Sequence, residues 1–313
     1  PIDKACGEGL MPDGLGALRN LGIILDGPGA QPFHGIRFVG DGASVEASFP
    51  EGHALGMRRT ALHSKMVDAA AAAGVRMLWG TPVRGIGAGG VLIADRIISA
   101  RWIVGADGFH SFVRRWAGLT APSASRRFGF RIHYRVAPWT RFMELYWGAG
   151  CQIYVTPIGP HEVCAALISR NPQFRMDEAL AQFPQLAARL DGAPHTTAER
   201  GSVTANCRLP RVYCGNVALM GDASGSVDAI TGEGLCLAFH QAIALADSLA
   251  SGDLSAYQRA HRRLARRPTL MSNLMLSLDR RTWFRKRALR ALAAQPRLFQ
   301  AMLSFHLCAS DFS

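Results

Sequence analysis

The spacing of apolar residues divides this chain into helical and extended stretches before any chemistry is considered. Residues 9–22 carry Leu10, Leu15, Leu18 and Leu21 along one helical face, and 59–73 form a second helical run that Gly74 stops. Between them, 36–39 and 44–49 read as a hairpin turned at Asp41-Gly42. Apolar runs at 75–79, 91–93 and 96–104 read as strands. Residues 122–127 read as a linker, and the pattern then changes to alternation. The runs 128–136, 142–147, 152–156 and 163–168 predict a mostly antiparallel sheet with one face buried. A helix is expected over 177–191, and 202–208 should return to the first layer of the fold. A short strand, 216–220, sits between Gly215 and Gly221, a helix follows over 235–249, and the chain is helical from Leu254 onward. Neither repeats nor low-complexity tracts interrupt this α/β pattern.

Composition narrows the class. The 313 residues are 49% hydrophobic and 19% charged, which describes a globular chain with a sizeable core. No run of eighteen apolar residues occurs, so no membrane span is expected. The seven cysteines are odd in number and form no CxxC pair. That argues against a disulfide scaffold or a zinc site and for a reducing cytoplasm. The net charge of +12 is carried by arginines, Lys4, Lys65 and Lys286 being the three lysines. Many cluster late, from Arg259 through Arg266, Arg267, Arg280 and Arg281 to Arg290, interleaved with leucine and methionine. A solvated helix face accounts for them most simply. The sharper readings are contact with an acidic carrier protein or with an anionic membrane, which would place the protein at the periphery of the inner membrane. Nucleic acid is not expected as a partner, because no nucleic-acid motif accompanies the charge.

Two segments carry candidate chemistry. In the first, the strand at 216–220 runs into Gly221-Asp222-Ala223-Ser224, and Gly232-Glu233-Gly234-Leu235 then opens an apolar helix. Bare N–H groups at a helix start favour negative charge, and glycines let a flat ligand approach the backbone. An Asp at a strand end can accept hydrogen bonds from sugar-like hydroxyls. Together these suit a polyol-bearing cofactor whose ring becomes anionic, namely a flavin. The second segment, Trp102-Ile103-Val104-Gly105-Ala106-Asp107-Gly108-Phe109-His110-Ser111-Phe112-Val113-Arg114, repeats the order of strand, glycine turn, Asp and helix start.

These two segments resemble the GDAxxxxxxxxGxG and GADGxxSxVR motifs of the FAD-dependent oxidoreductases with the p-hydroxybenzoate hydroxylase fold. Both are complete, about a hundred residues apart and in the family's order. A third, Asp3-Lys4-Ala5-Cys6-Gly7-Glu8-Gly9-Leu10-Met11-Pro12, is similar to the opening of the geranylgeranyl-reductase-like branch. The resemblance covers Asp3 to about Tyr257. It implies an FAD/NAD(P)-binding Rossmann-like domain with a β-rich substrate domain inserted and a helical C-terminus. The expected division is 1–121 and 202–254 for the FAD-binding parts, 122–201 for the substrate sheet and 255–313 for the terminal helices. The family also begins with a strand, a GxGxxG loop and a helix. None precedes Asp3, and the chain starts with Pro, so a truncation of about thirty residues, one βαβ unit, is expected. The literal match Gly85-Ile86-Gly87-Ala88-Gly89-Gly90 is rejected as a dinucleotide loop, because the strand-like Val91-Leu92-Ile93 follows it instead of a helix.

The resemblance also implies roles. Asp222, with Gly221, would hold the ribityl or ribose hydroxyls of FAD, and Gly232, Gly234 and Leu235 would offer amides to the pyrimidine edge. Asp107 and Gly108 would lie near the pyrophosphate, with a β-turn and helix cap as the plainer reading. Arg59 stands where related enzymes place a flavin-contacting arginine, although Arg58 is adjacent. Cys6 is the candidate catalytic residue, with a small buried thiol as its alternative. Tyr154 and Pro157 fall on the expected flavin-facing strand. Phe128, Tyr134, Tyr146 and Trp147 suggest an apolar or aromatic small-molecule substrate. No metal ligand set is expected. Gly225 and Ala229 replace the His and Pro common in the hydroxylases, and Gly225 and Thr231-Gly232-Glu233-Gly234 look more like the reductase branch.

The leading expectation is an FAD-dependent monooxygenase reduced by NAD(P)H. A flavin-dependent C=C reductase of the geranylgeranyl-reductase type stays open, as does an inactive or partner-binding remnant.

Overall fold

The computed structural model describes residues 2–25, 27, 29–87, 89–119 and 126–307. Residues 122–125 of the expected linker and Cys308 lie outside them, and Arg126 and Arg127 already belong to a strand. The helices are α1 (Pro12–Asn20), α2 (Arg59–Ala72), α3 (Phe112–Trp116), α4 (Met176–Leu180), α5 (Pro184–Leu190), α6 (Gly234–Ser251), α7 (Leu254–Arg280), α8 (Thr282–Ala294) and α9 (Pro296–Leu307).

A seven-stranded sheet dominates. Its spatial order is Arg200–Ala205, Arg126–Tyr134, Glu162–Ser169, Cys151–Gly159, Met143–Trp147, Gly35–Gly40 and Ala43–Ser48. All neighbours are antiparallel except Met143–Trp147 beside Gly35–Gly40, which run parallel with Leu145 opposite Phe38. The hairpin turns at Asp41 and Gly42, whose φ values of 52° and 76° suit a twisted two-residue turn. The sheet therefore reaches beyond 122–201. Two strands come from 35–48, and Ser202 to Ala205 pair with Gly129 to Arg126 instead of returning to the first layer. Only Cys207–Arg208 leaves, to pair with Gly225–Ser226. Partners this far apart in sequence leave no local signal.

The expected half-buried sheet is corrected as well. The strand Cys151–Gly159 is buried at all nine positions. Side chains alternate between two faces, and both are covered. Ile132, Ile153, Val155 and Leu167 pack on α4 and α5, whereas Phe38, Leu145, Trp147 and Tyr154 pack on α7 to α9. Tyr134 and Tyr146 lie in the first of these cores and Trp147 in the second. The helix expected over 177–191 is two helices. Pro184 opens the second, because its ring suits a first turn but breaks a helix interior.

On the cofactor side, Ile103–Gly105 and Val217–Leu219 are parallel neighbours, with Tyr213–Cys214 antiparallel to the latter. The segment 75–79 is not a strand, and Val75, Leu78 and Trp79 are 54%, 42% and 61% exposed. Apolar residues alone do not make a strand. Its backbone needs a partner, and the outer edge of Ile103–Gly105 has none among the described residues. Val83–Gly87 and Gly90–Ile93 form a hairpin with Gly87 opposite Gly90, so Gly85, Gly87 and Gly90 lie on its strands and no helix follows them. Helix α6 ends at Gly252, where φ is 77°. It has the length and apolarity of a membrane span, with mean hydropathy 1.2 over 18 residues, but it packs here between α1 and α7.

Candidate functional site

The two acid-and-glycine corners meet. Leu219 pairs with Gly105 across the parallel strands, so Gly105 to Gly108 and Gly221 to Ser224 leave the same sheet end. Arg114 ties them together. Its Nη1 donates to the Ala223 carbonyl at 3.1 Å and the Asp222 carbonyl at 3.4 Å, and its Nη2 donates to the Phe109 carbonyl at 2.6 Å. Sequence reasoning quoted Arg114 as the end of a motif and gave it no role. Its position at the end of GADGxxSxVR was the available signal.

Asp107 caps α3. Its carboxylate accepts from the Ser111 hydroxyl at 2.5 Å and from the Phe112 and Val113 N–H groups at 2.7 and 3.1 Å. Burial works against the charge, but those hydrogen bonds outweigh it and hold the carboxyl below its usual range. Gly108 takes φ 81° in the turn between. Asp222 lies on a short 3-10 turn after Val217–Leu219, and its Oδ2 accepts from Lys4 Nζ at 2.9 Å. Gly221, at φ 57°, donates its N–H to Gln241 Oε1 of α6 at 2.7 Å, which fixes the corner on that helix.

Gly232, at φ 71°, turns the chain into α6, and Gly234 and Leu235 occupy its first turn, where backbone N–H groups lack helical partners. A Cβ on Gly232 would lie 4.0 Å from Met11 Cε, so this loop faces the N-terminal segment. That segment runs from the Asp222 corner, through Lys4, to the sheet. The Gly7 carbonyl accepts from Thr156 Oγ1 at 2.7 Å, and the Cys6 carbonyl from the Cys164 thiol at 3.6 Å. The Tyr154 hydroxyl donates to the Ile230 carbonyl at 2.5 Å, anchoring the loop before Gly232 on the sheet. Pro157 lies further along that strand, its carbonyl against Gly56. Corners, helix start and Cys6 loop thus border one seam between the layers.

Arg58 and Arg59 differ in their surroundings. Arg58 is engaged by Glu162 and by Thr196 Oγ1, the latter at 2.9 Å. Arg59 opens α2, and its Nη1 is buried with no hydrogen-bond partner among the described residues. A buried orphan N–H is costly and points to an acceptor from outside the chain. Burial pushes the Cys6 thiol up, which opposes a thiolate role for it.

A buried network went unread in the sequence. Glu8 Oε1 accepts from the Arg59 N–H at 2.9 Å, Glu8 Oε2 meets His133 Nε2 at 2.6 Å, and His133 Nδ1 meets Thr197 Oγ1 at 2.9 Å. Arg131, 1% exposed, reaches the His133 ring and Asp3. Glu8, His133 and Cys164 bring ligand-type atoms within 4.8 Å of one another. The Arg131 guanidinium 3.1 Å from His133 Nδ1, and a Cys164 thiol pushed well up by burial, oppose a cation there.

Glu233, between the glycines, faces His306 of α9 at 3.4 Å. Burial, then the nearby Asp13, pushes the Glu233 carboxyl up to about 8, and burial pushes His306 down to about 4. Burial thus works against charge on both groups. Beyond them an apolar cavity of about 40 Å³ lies between the sheet and α7 and α9, lined by Phe38, Met143, Met271, Met275, Phe299 and Met302.

These residues fit FAD: a carboxylate at a strand end for hydroxyls, a glycine-bounded helix start for an anionic ring edge, and an unpartnered buried guanidinium N–H.

Menaquinone reductase of Mycolicibacterium smegmatis (strain ATCC 700084 / mc(2)155) is 26% identical over 294 residues, covering 83% of this chain and 70% of that protein. The flavin-dependent brominase Bmp2 superposes with a TM-score of 0.81 at 17% identity, over 96% of this chain and 84% of that one. A geranylgeranyl bacteriochlorophyll reductase-like protein from Thermoplasma acidophilum gives 0.73 at 18% identity, over 96% and 81%. The FAD binding domain family model matches residues 42–252, both corners included, and the chain belongs to that family of FAD-dependent oxidoreductases.

Proposed function

We propose that this FAD-dependent oxidoreductase is reduced by NAD(P)H and passes hydride to a carbon–carbon double bond of an apolar substrate. The observation that carries the reading is the seam itself. The loop that enters α6 faces Met11 at Gly232, and Glu233 in that loop faces His306 beside a small methionine-lined cavity. The menaquinone reductase relative and the reductase-like choices at Gly225 and Thr231-Gly232-Glu233-Gly234 support it. Bound FAD would supply the hydride chemistry, and the chain would bind, orient and shield. Asp222 would accept from polyol hydroxyls. The Gly234 and Leu235 amides, at the positive end of α6, would favour negative charge on a ring edge. Arg59 Nη1 would find its missing acceptor. Glu233, whose carboxyl burial pushes up, would hold a proton at the head of the apolar space.

A second reading, a monooxygenase acting on a small apolar or aromatic compound, is supported by the apolar lining of that space, since oxygen transfer needs water excluded. Anaerobic turnover with NADPH and menaquinone by the FAD-loaded full chain separates the two. Product without oxygen supports the reductase, and strict dependence on oxygen overturns it. A chain that takes up no flavin sinks both.

We further infer that the protein works at an anionic membrane surface. Leu270, Trp283, Leu298 and Phe305 are 49% to 59% exposed on α7 to α9. Arg267 lies over the Phe305 ring and Arg287 over Trp283. Exposed aromatics interleaved with arginine suit a headgroup layer. Co-sedimentation with phosphatidylglycerol vesicles, absent with phosphatidylcholine and lost in Trp283→Ala with Phe305→Ala, is the expected result. Equal binding to both lipids would contradict it.

A further inference from the structure

Between the Asp222 turn and the head of α6, residues 227–233 run without strand pairing, so their backbone N–H groups need other acceptors. Side chains supply several of them. The Asp228 N–H donates to Asn206 Oδ1 at 2.7 Å, and the Ala229 N–H donates to Thr204 Oγ1 at 2.9 Å. The Ile230 N–H donates to Asp228 Oδ1 at 3.0 Å, which caps the short turn Ala229–Thr231. Gly232 closes that turn, so the Asp228 carboxylate belongs to the turn that delivers the chain to α6.

That carboxylate sits in a buried ion pair. Arg127 and Asp228 are each 2% exposed, and Arg127 Nη1 donates to Asp228 Oδ1 at 2.9 Å. Arg127 Nη2 donates to Gln152 Oε1, and Gln152 Nε2 donates to Asp279 Oδ1 of α7 at 2.5 Å. Asp279 Oδ2 in turn accepts from Arg170 Nη2 at 2.5 Å. The series joins the turn, two strands of the large sheet and α7, and its charges cancel in pairs. Apolar side chains of like volume would often stabilise a fold at least as well as a buried ion pair. They could not supply a fixed direction for the turn, nor a cancelled charge beside it. A buried charge also acts over a distance, because its surroundings screen it far less than water does.

We propose that Arg127 is a positioning residue for the flavin. It holds the turn that aims Gly232, Gly234 and Leu235. It also cancels the Asp228 charge, which would otherwise oppose negative charge on a ring edge at the head of α6. By both routes it sets how much more tightly the reduced flavin is held than the oxidised one, and so the reduction potential. The inference rests on the proposed placement of the ring edge at that helix start.

The test is the midpoint potential of the FAD-loaded full chain, titrated spectroscopically against a dye of known potential. Arg127→Met leaves the carboxylate uncancelled and should lower the potential. A tenfold fall in the preference for the reduced flavin corresponds to about 30 mV for a two-electron couple. Asp228→Asn leaves the guanidinium uncancelled and should raise the potential. Arg127→Lys keeps the charge and should stay near wild type. Arg285→Met is the structural control. Arg285 is also 2% exposed, but it lies on α8 and donates to Asp41 Oδ2 at 2.7 Å. Its loss should lower the melting temperature without moving the potential. Opposite shifts in the two charge variants support the inference. If Arg127→Met does not fold, the direction of the shift in Asp228→Asn decides it. Equal potentials in all variants, shifts of one sign in both charge variants, or an equal shift in Arg285→Met overturn it and leave the flavin reading standing. A wild-type chain that takes up no flavin overturns the ring placement and this inference together.

Discussion

Arg114 spends its guanidinium on three backbone carbonyls drawn from both corners. Losing it leaves those carbonyls in want of donors, so Arg114→Ala should cost about 1–3 kcal/mol in urea unfolding. No measurable cost would show that the corners hold without the link. Glu233 makes a prediction with a definite sign. Burial pushes its folded carboxyl up to about 8, from an ordinary value of 4.5. As pH rises from 4.5 to 8, the unfolded chain loses that proton and the folded chain keeps it, so the fold loses stability across this window. The loss is about 3–5 kcal/mol at its end. His261 and His306, both held down to about 4 from 6.5, act in the opposite direction, and their contribution is lost as pH falls through that range. Glu233→Gln should therefore flatten the fall in melting temperature between pH 6 and 8, and an unchanged slope would contradict the assignment. Cys6 should resist alkylation by iodoacetamide while the exposed Cys214 reacts, as mass spectrometry of labelled peptides would show. Early labelling of Cys6 would restore a thiolate role.

Elements meet through positions that no local pattern reveals. A Cβ on Gly14 of α1 would lie 2.4 Å from Cys236 Sγ of α6, so glycine is what lets these helices approach. Gly14→Ala should cost about 1–3 kcal/mol, and much of that should return in Gly14→Ala with Cys236→Ala. Strictly additive losses would argue against the contact. Phe299 of α9 is 1% exposed against the sheet, and Phe299→Ala should cost about 3–5 kcal/mol in unfolding. The hairpin at Asp41-Gly42 and the stop of α2 before Gly74 were legible because turn and cap chemistry is local. The hairpin's parallel pairing with Met143–Trp147 was not, because its partner lies a hundred residues away. The break at Pro184 was local too, but the apolar period running through 177–191 concealed it.

For the molecule as a whole, the corners could be read because each packs its acid and its glycines into a few consecutive residues. What surrounds them could not. Glu8 and His133 are 125 residues apart, and the C-terminal helices that bury the second sheet face carry only an amphipathic pattern. Tyr134 and Tyr146, taken in sequence as a hint of aromatic substrate, fill the core against α4 and α5. The claim beneath all of this is that Asp222, Arg59 and the first turn of α6 grip one flavin. Equilibrium titration of the full chain with FAD, followed by flavin fluorescence, tests it most directly. Saturable uptake is predicted, weakened about tenfold by Asp222→Ala and by Arg59→Ala and unchanged by Arg290→Ala. Absence of uptake, or equal affinity in all four proteins, would contradict it.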